Sequence, residues 1–96
     1  MITATPSDLQ CLLARDALSA RQRDEMLALF ATHFDGVTRA QFESDLAAKN
    51  WVIELRRDAR LVGFTSLRVT VSQFESQPIT VIYSGDTIVA PEAILR

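Results

Sequence analysis

Three strand-like segments follow one another in the second half of the chain without a helix between them. "WVIELRR" begins at Trp51, "LVGFTSLRVTVSQF" begins at Leu61, and "ITVIYSGDTIVA" begins at Ile79. The breaks between them are the charged turn Arg57-Asp58-Ala59-Arg60 and the run Ser76-Gln77-Pro78. Parallel neighbours need a crossover of about a dozen residues or more, so connections this short require antiparallel pairing. This half of the chain is therefore predicted to form an antiparallel meander.

A strand and two helices are predicted before the meander. Apolar residues alternate with their neighbours around Cys11, which is typical of a short strand. From Ser19, a good N-cap residue, the period changes to that of a helix ending at Asp35-Gly36. Thr38 then caps a shorter helix, which Asn50 stops. The apolar face of the first helix carries Met26, Leu29, Phe30, His33 and Phe34.

The predicted order is β-α-α-β-β-β, which is the α+β class. We predict a mainly antiparallel four-stranded sheet with two helices on one face, as a single domain over residues 1–96. Five aromatic residues fit core positions: Phe30, Phe34, Phe42, Trp51 and Phe64. Alternation along the last strand predicts one face with Ile79, Val81, Tyr83 and Val89, and the other with Ile82, Asp86 and Ile88.

Charge and composition exclude several classes of function. Ten basic and twelve acidic residues are spread along the 96 residues, a net charge of -2, so no concentrated positive field exists for nucleic acid. No apolar run approaches the roughly 20 residues that cross a bilayer, so no membrane partner is predicted. One cysteine and an N-terminus without a signal-peptide pattern predict a cytoplasmic protein.

The element order, with "GFTSL" in one strand and "DTIVAPE" at the end of the next, resembles the N-terminal half of the GNAT superfamily of N-acyltransferases. The resemblance covers nearly the whole chain, and Thr87 to Glu92 is similar to the family's "LxVxPE" exit from the fourth strand. It implies that this strand splays from its neighbour. It also implies that main-chain groups of Thr87 and Val89 bind the pantetheine arm of acetyl-CoA or another acyl-CoA.

The sequence departs from the family after this strand. The family's loop Arg/Gln-x-x-Gly-x-Gly or -Ala opens a helix whose amides bind the pyrophosphate. Here Ile94 stands where that loop begins, the sequence ends at Arg96, and no glycine follows Gly85. We therefore predict a truncated or partial N-acyltransferase domain that is inactive alone and binds no cofactor tightly. The alternative is a non-catalytic dimeric binding or assembly module that retains the half-fold.

Two side chains of the last strand are candidate catalytic residues. Asp86 could take a proton from an attacking amine, and its alternative role is that of a polar residue at a bulge after Gly85. Tyr83 could line an acceptor pocket, or be a core aromatic with its hydroxyl at the rim. His33 fits a stabilising position in the last turn of a helix better than a catalytic one.

Three other features have structural interpretations. Cys11 is predicted to be a small buried hydrophobe. Arg56, Arg57 and Arg60 form a basic cluster that would contact CoA phosphates only if the turn faced the cleft, and a solvated turn is the alternative. No spacing typical of metal ligands is present.

The last expectation concerns the association of the chain with a second copy of itself. Residues 79–90 would form a long edge of unpaired N–H and C=O groups, which natural proteins rarely leave bare. The uncovered face of the sheet is predicted to be partly apolar, through Val52, Val62, Phe64, Ile82 and Ile88. We therefore predict a homodimer built by the last strand and this face.

Overall fold

A computed structural model of the chain describes residues 8–90. The four strands form one antiparallel sheet in the order β1-β2-β3-β4, so the protein is α+β, as predicted. The elements also follow the predicted order, with one added 3₁₀ turn. They are β1 (Asp8–Ala14), the 3₁₀ turn (Arg15–Ala17), α1 (Ala20–His33), α2 (Arg39–Ala47), β2 (Trp51–Arg57), β3 (Arg60–Phe74) and β4 (Gln77–Val89).

Both helices begin at the predicted caps. The Ser19 hydroxyl accepts a hydrogen bond from the Gln22 amide, and the Gln22 side chain accepts one from the Ser19 amide, which completes a capping box. The Thr38 hydroxyl accepts the amide of Gln41 at 3.2 Å. Gly36, with φ +74°, makes the turn between the helices in a conformation that favours glycine. The two helices therefore follow each other closely.

The helices cover one face of the sheet. Met26 of α1 and Phe42 of α2 are buried against residues from three strands, including Val52 and Phe64. The remaining buried members of this core are Leu18, Leu46, Leu61 and Ile88. Burying each such side chain contributes about 1.5–3 kcal/mol, so this layer dominates the stability of the fold.

Three predicted core residues lie elsewhere. Trp51 is 37% exposed because it lies on the open face of the sheet, which neither helix covers. Phe34 is half exposed because α1 ends one residue before it, and its ring lies beside that of Phe30, with the ring centroids 4.9 Å apart. Cys11 is exposed because β1 is an edge strand. The core prediction was wrong for these residues and is confirmed for Phe42 and Phe64.

A bulge in β4 overturns the predicted faces of that strand. Thr65 pairs with Thr87, but Leu67, two residues on, pairs with Ser84 three residues back, so β4 carries one extra residue there. Tyr83 therefore lies on the same face as Ile88, and Val89 lies on the opposite, open face. The simple alternation was wrong because one inserted residue exchanges the two faces.

The prediction for the open face is corrected by the same pairing. Val52, Phe64 and Ile88 belong to the core under the helices, and Val62 is fully buried against Leu55 and Ala90. Of the residues predicted to be uncovered, only Ile82 is exposed. The open face carries a different apolar set that includes Leu12, Trp51, Ile53 and Val89.

The β3–β4 hairpin has two parts, a base and an arm. The base comprises residues 61–67 and 84–90, where β3 also pairs with β2. The arm comprises residues 68–83, which extend beyond the end of β2. Asn50 closes the β2–β3 ladder: its side chain accepts the Val69 amide and donates to the Val69 carbonyl, both at 2.8 Å. Within the described residues the arm is thus a two-stranded ribbon.

Candidate functional site

The free edge of β4 is the first feature of the fold that invites a partner. β4 is the last strand of the sheet, and within residues 8–90 no segment pairs with its outer side. An edge strand presents a row of N–H and C=O groups to any chain that can hydrogen-bond with them. The edge is long, because β4 spans Gln77–Val89.

Backbone geometry identifies which groups face outward in the base. The Ala90 amide donates to the Val62 carbonyl at 2.6 Å, so the main-chain N–H and C=O groups of Ala90 point toward β3. Successive residues of an antiparallel strand point their N–H and C=O groups to alternate sides. Ile88 therefore also faces β3, and Thr87 and Val89 face the free edge. These are the two residues for which the sequence predicted a main-chain binding role.

The arm shows the same alternation after the bulge. The Leu67 carbonyl accepts the Asn50 amide and Val69 bonds to the Asn50 side chain, so odd-numbered residues of β3 face away from β4. The even-numbered residues of β3 therefore hydrogen-bond to β4. Their partners in β4 are odd-numbered residues, whose N–H and C=O groups point inward, toward β3. The outward residues of the arm and bulge are therefore Pro78, Thr80, Ile82 and Ser84. Pro78 lacks an N–H, and an outward position costs the ladder no hydrogen bond.

Apolar side chains surround this edge. Five large apolar residues of the arm are exposed: Val71 (73%), Phe74 (62%), Ile79, Ile82 (63%) and Tyr83. Single exposed apolar residues are ordinary, but a group on one projecting ribbon is typical of an interaction surface. The arm therefore combines unpaired backbone with apolar side chains on both sides.

A shallow cavity on the open face adjoins the base of the edge. It has a volume of about 200 Å³ and a mostly apolar lining that includes Ile53, Leu55, Thr87 and Val89. The hydroxyls of Thr65 and Thr87 lie 2.6 Å apart and hydrogen-bond to each other. The structure thus brings Thr87 and Val89 together at one cavity, with their main-chain groups beside it at the edge.

The two candidate catalytic side chains lie apart from that cavity. Tyr83 lies on the face of the sheet that carries the helices, in a depression it shares with Lys49 and Arg68. Asp86 is half buried at the bulge and lines neither of these depressions. The bulge explains the separation, because it exchanges the faces between Tyr83 and Val89. The roles proposed for Asp86 and Tyr83 stay predictions.

Arg56 is engaged under the helices rather than solvated at a turn. Its guanidinium donates to both carboxylate oxygens of Glu25 at 3.0 and 3.1 Å, and to Glu54 at 3.1 Å. Glu54 is only 2% exposed. The hydrogen bonds from Arg56 lower the pKa of Glu25, and those of Glu25 and Glu54 raise the pKa of Arg56. This cation ties α1 to β2, so its side chain is not available to a phosphate.

His33 and the side-chain types that bind metal ions are the remaining features to place within the described residues. His33 lies in the last turn of α1, as predicted, but its side chain is exposed although the helical spacing placed it on the apolar face. Between residues 8 and 90 no group of three or more His, Cys, Asp or Glu side chains could hold a metal ion. In the same part of the chain, no helix has the length and apolar character to cross a membrane. Pro91, Glu92 and the positions from Ile94 to Arg96 lie outside the described residues.

Sequence reasoning missed two cations near the arm. Lys49 and Arg68 lie at one depression, although they are 19 positions apart in the sequence, Lys49 just after the end of α2 and Arg68 in β3. The available signal was Gly85, a glycine inside a strand, which indicates a bulge or a close approach of another group.

Comparison with known proteins gives this chain no family. No family model matches this chain, and no curated protein matches it.

Proposed function

We propose that the chain is a non-catalytic binding and assembly module that forms a homodimer by pairing β4 with β4 of a second copy. The observation that carries this proposal is the free edge, where the outward groups of Thr80, Ile82 and Ser84 lie among exposed apolar side chains. Closed two-fold association is the commonest way for identical chains to cover one self-complementary surface. An antiparallel pair of identical strands has that symmetry.

The outward residues favour one register. Only outward residues can exchange hydrogen bonds, so a two-fold pairing centred on Ile82 places it opposite Ile82 of the second copy. Thr80 then lies opposite Ser84, and Pro78, which donates nothing, lies opposite Asp86 at the bulge. The two Asp86 carboxylates are kept apart, which avoids a repulsive pair of like charges.

This register also covers the apolar arm. Because the strands run antiparallel, the arm of each copy extends along the base of the other, beside the outward groups of Thr87 and Val89. The side chains of Ile82 and Tyr83 then lie at the shared interface, where burial favours association. One interaction thus satisfies both the backbone edge and the exposed apolar residues.

Cross-linking tests the register. Opposite residues of a hydrogen-bonded antiparallel pair have Cα atoms about 5.5 Å apart, which is within the range of a disulfide. Since Cys11 is an exposed free thiol, the test uses the double variant Cys11→Ser/Ile82→Cys. Mild oxidation is expected to convert it into a covalent dimer in high yield.

The matched control moves the cysteine along the same edge. In Cys11→Ser/Thr80→Cys the thiol replaces a residue that is also exposed and whose main-chain groups also face outward. In the proposed register the two Thr80 positions are offset by four residues, about 13 Å along the strands. This variant is expected to stay monomeric in non-reducing electrophoresis. Equal cross-linking of both variants, or of neither, contradicts the register.

A second candidate function is suggested by Thr87 and Val89. Their main-chain groups face the free edge beside an apolar cavity of about 200 Å³, an arrangement that could accept the pantetheine arm of an acyl-CoA. This candidate is a partial GNAT-like N-acyltransferase domain, with Asp86 as its base and Tyr83 near the acceptor. It rests on the edge and the cavity, and on the resemblance of the sequence.

Calorimetric titration with acetyl-CoA and a thiol-release assay separate the two functions. The assembly module is expected to show no saturable binding at micromolar acetyl-CoA and no turnover, because pantetheine alone offers few contacts. A micromolar dissociation constant that weakens in Val89→Pro, which removes an outward amide, would favour the acyltransferase instead. Thiol release that is lost in Asp86→Asn would favour it further.

A further inference from the structure

A polar depression lies on the helix side of the arm, away from the open face. It has a volume of about 360 Å³ and is bounded by the end of α2 and the two strands of the hairpin. Its lining residues are Ala48, Lys49, Arg68, Thr70, Tyr83 and Ser84. Two cations and the hydroxyl groups of Thr70 and Tyr83 therefore converge there, and no carboxylate belongs to the lining.

The two cations differ from most others in the fold. Arg15, Arg23, Arg39 and Arg56 each pair with a carboxylate within 4 Å. Among residues 8–90, Arg68 forms no ion pair, and the Lys49 ammonium donates only to the Asp45 carbonyl, at 3.4 Å. In a chain of net charge -2, two cations without carboxylates in one depression create a local positive potential.

Gly85 shapes the place that Lys49 occupies. A Cβ atom at residue 85 would lie 2.6 Å from the Ser66 hydroxyl and would overlap the end of the Lys49 side chain. Glycine removes that obstacle, so the lysine chain crosses the bulge and brings its ammonium to the depression. The bulge therefore leaves room for the Lys49 side chain, in addition to exchanging the faces of the strand.

We propose that this depression binds the phosphate group of a small phosphorylated ligand. Lys49 and Arg68 supply the positive charge, and Thr70 and Tyr83 supply hydroxyl donors. A phosphate has several acceptor oxygens in a tetrahedral arrangement, so it can accept from donors on two strands and a helix end at once, whereas a planar carboxylate has only two. The volume leaves room for the body of a small ligand beside its phosphate.

Tyr83 belongs both to this site and to the proposed dimer interface, but the two proposals rest on different groups of the chain. The site lies on the face that carries the helices, and its donors are side chains, whereas the dimer uses backbone groups at the edge. Failure of either proposal leaves the other standing, because the dimer is measured by mass and the site by titration.

The test is an amide NMR titration of the full chain with inorganic phosphate at constant ionic strength, with acetate as the comparison anion. Saturable shifts are expected at Lys49, Ser84 and Gly85, with a weaker response to acetate. Glycerol phosphate is expected to bind at least as tightly as inorganic phosphate. Lys49→Gln and Arg68→Gln are each expected to weaken binding about tenfold, the loss of one charge-assisted contact.

Two further variants make the titration decisive. Tyr83→Phe removes one hydroxyl and is expected to weaken binding about threefold, with no loss of charge. Arg21→Gln is the control, because Arg21 is an exposed cation of α1 outside the depression. Shifts that stay linear, an equal response to acetate, or equal weakening by Arg21→Gln and Arg68→Gln would overturn the proposal.

Discussion

The base and the arm of the β3–β4 hairpin share two strands but have opposite surroundings. In the base, β3 runs through five buried residues between Leu61 and Ser66, with α1 and α2 above them. In the arm, the same strand exposes Val71 and Phe74. Both parts are rich in β-branched and apolar residues. Strand propensity is therefore common to both, and the presence of a covering layer is the difference.

This difference shows where stability arises. The base is stabilised inside the chain, by apolar burial under two helices. The arm is a two-stranded ribbon in the described structure, and isolated ribbons are marginal in water. An apolar ribbon that extends from a stable base is thus available to a partner, and the proposed dimer gives it one.

The largest expected effect comes from equivalent truncations in the core and the arm. Phe42 of α2 is buried against the sheet, and Phe74 is 62% exposed at the arm tip. In an Ile82→Lys background, used to remove dimer effects, Phe42→Ala should lower the free energy of unfolding by about 3–5 kcal/mol. Phe74→Ala should change it by about 0.5 kcal/mol or less. Urea denaturation measures both, and equal losses would show that the arm is part of the core.

The buried ion network gives the next largest effect. Arg56→Met leaves the buried Glu54 carboxylate without its cation, which should cost about 3 kcal/mol. Arg39→Met breaks an exposed pair with Asp24 and should cost about 1 kcal/mol or less. The double variant Glu54→Leu/Arg56→Met should recover most of the loss, because no unpaired charge stays buried. Thermal or urea unfolding of the three variants decides it.

The turns test the comparison on a smaller scale. Ala59 at the base turn (φ 68°) and Ser76 at the arm tip (φ 65°) both adopt left-handed conformations that favour glycine. Ala59→Gly should raise the free energy of global unfolding by about 1 kcal/mol. Ser76→Gly should slow amide exchange in the arm but leave global unfolding nearly unchanged, because the arm opens on its own. If both substitutions raised the free energy of global unfolding equally, the arm would not open independently of the base.

Lowering the pH should have the smallest effect on the free energy of unfolding, and the direction of that effect follows from the lowered pKa of Glu25. Its pKa is lowered by hydrogen bonds from Arg56, so its contribution is full above its ordinary pKa of 4.5 and is lost as the pH falls through the lower folded value. The carboxylate is a third exposed, so the contribution should be about 1 kcal/mol or less. Glu25→Gln should flatten the acid limb of stability against pH. Glu43→Gln, at a surface pair, serves as the control.

Much of the fold followed from local chemistry in the sequence. The Ser19 and Thr38 caps, the break at Gly36 and the two short turns predicted where elements begin and end, and the structure confirms them. These features act within a few residues, so sequence patterns report them directly. The covered face of β4 was mispredicted because one extra residue at the Gly85 bulge shifts the alternation.

The candidate site was less predictable because it depends on pairing across the sheet. Thr87 and Val89 were identified through a resemblance, and their outward direction follows only from the Ala90 hydrogen bond. Lys49 and Arg68 meet because α2 ends beside the arm, which no local pattern encodes. Exposure of Trp51 likewise depends on which face the helices cover.

The pairing of β4 with a second copy is tested most directly by amide hydrogen exchange. At about 100 micromolar protein, where a micromolar dimer is nearly complete, the outward amides of Thr80 and Ser84 should exchange slowly. In Ile82→Lys, whose two like charges oppose each other at the centre of the register, they should exchange fast, while the inward amides of Val81 and Tyr83 stay protected. Thr80 and Ser84 amides that exchange equally fast in both proteins would contradict the account.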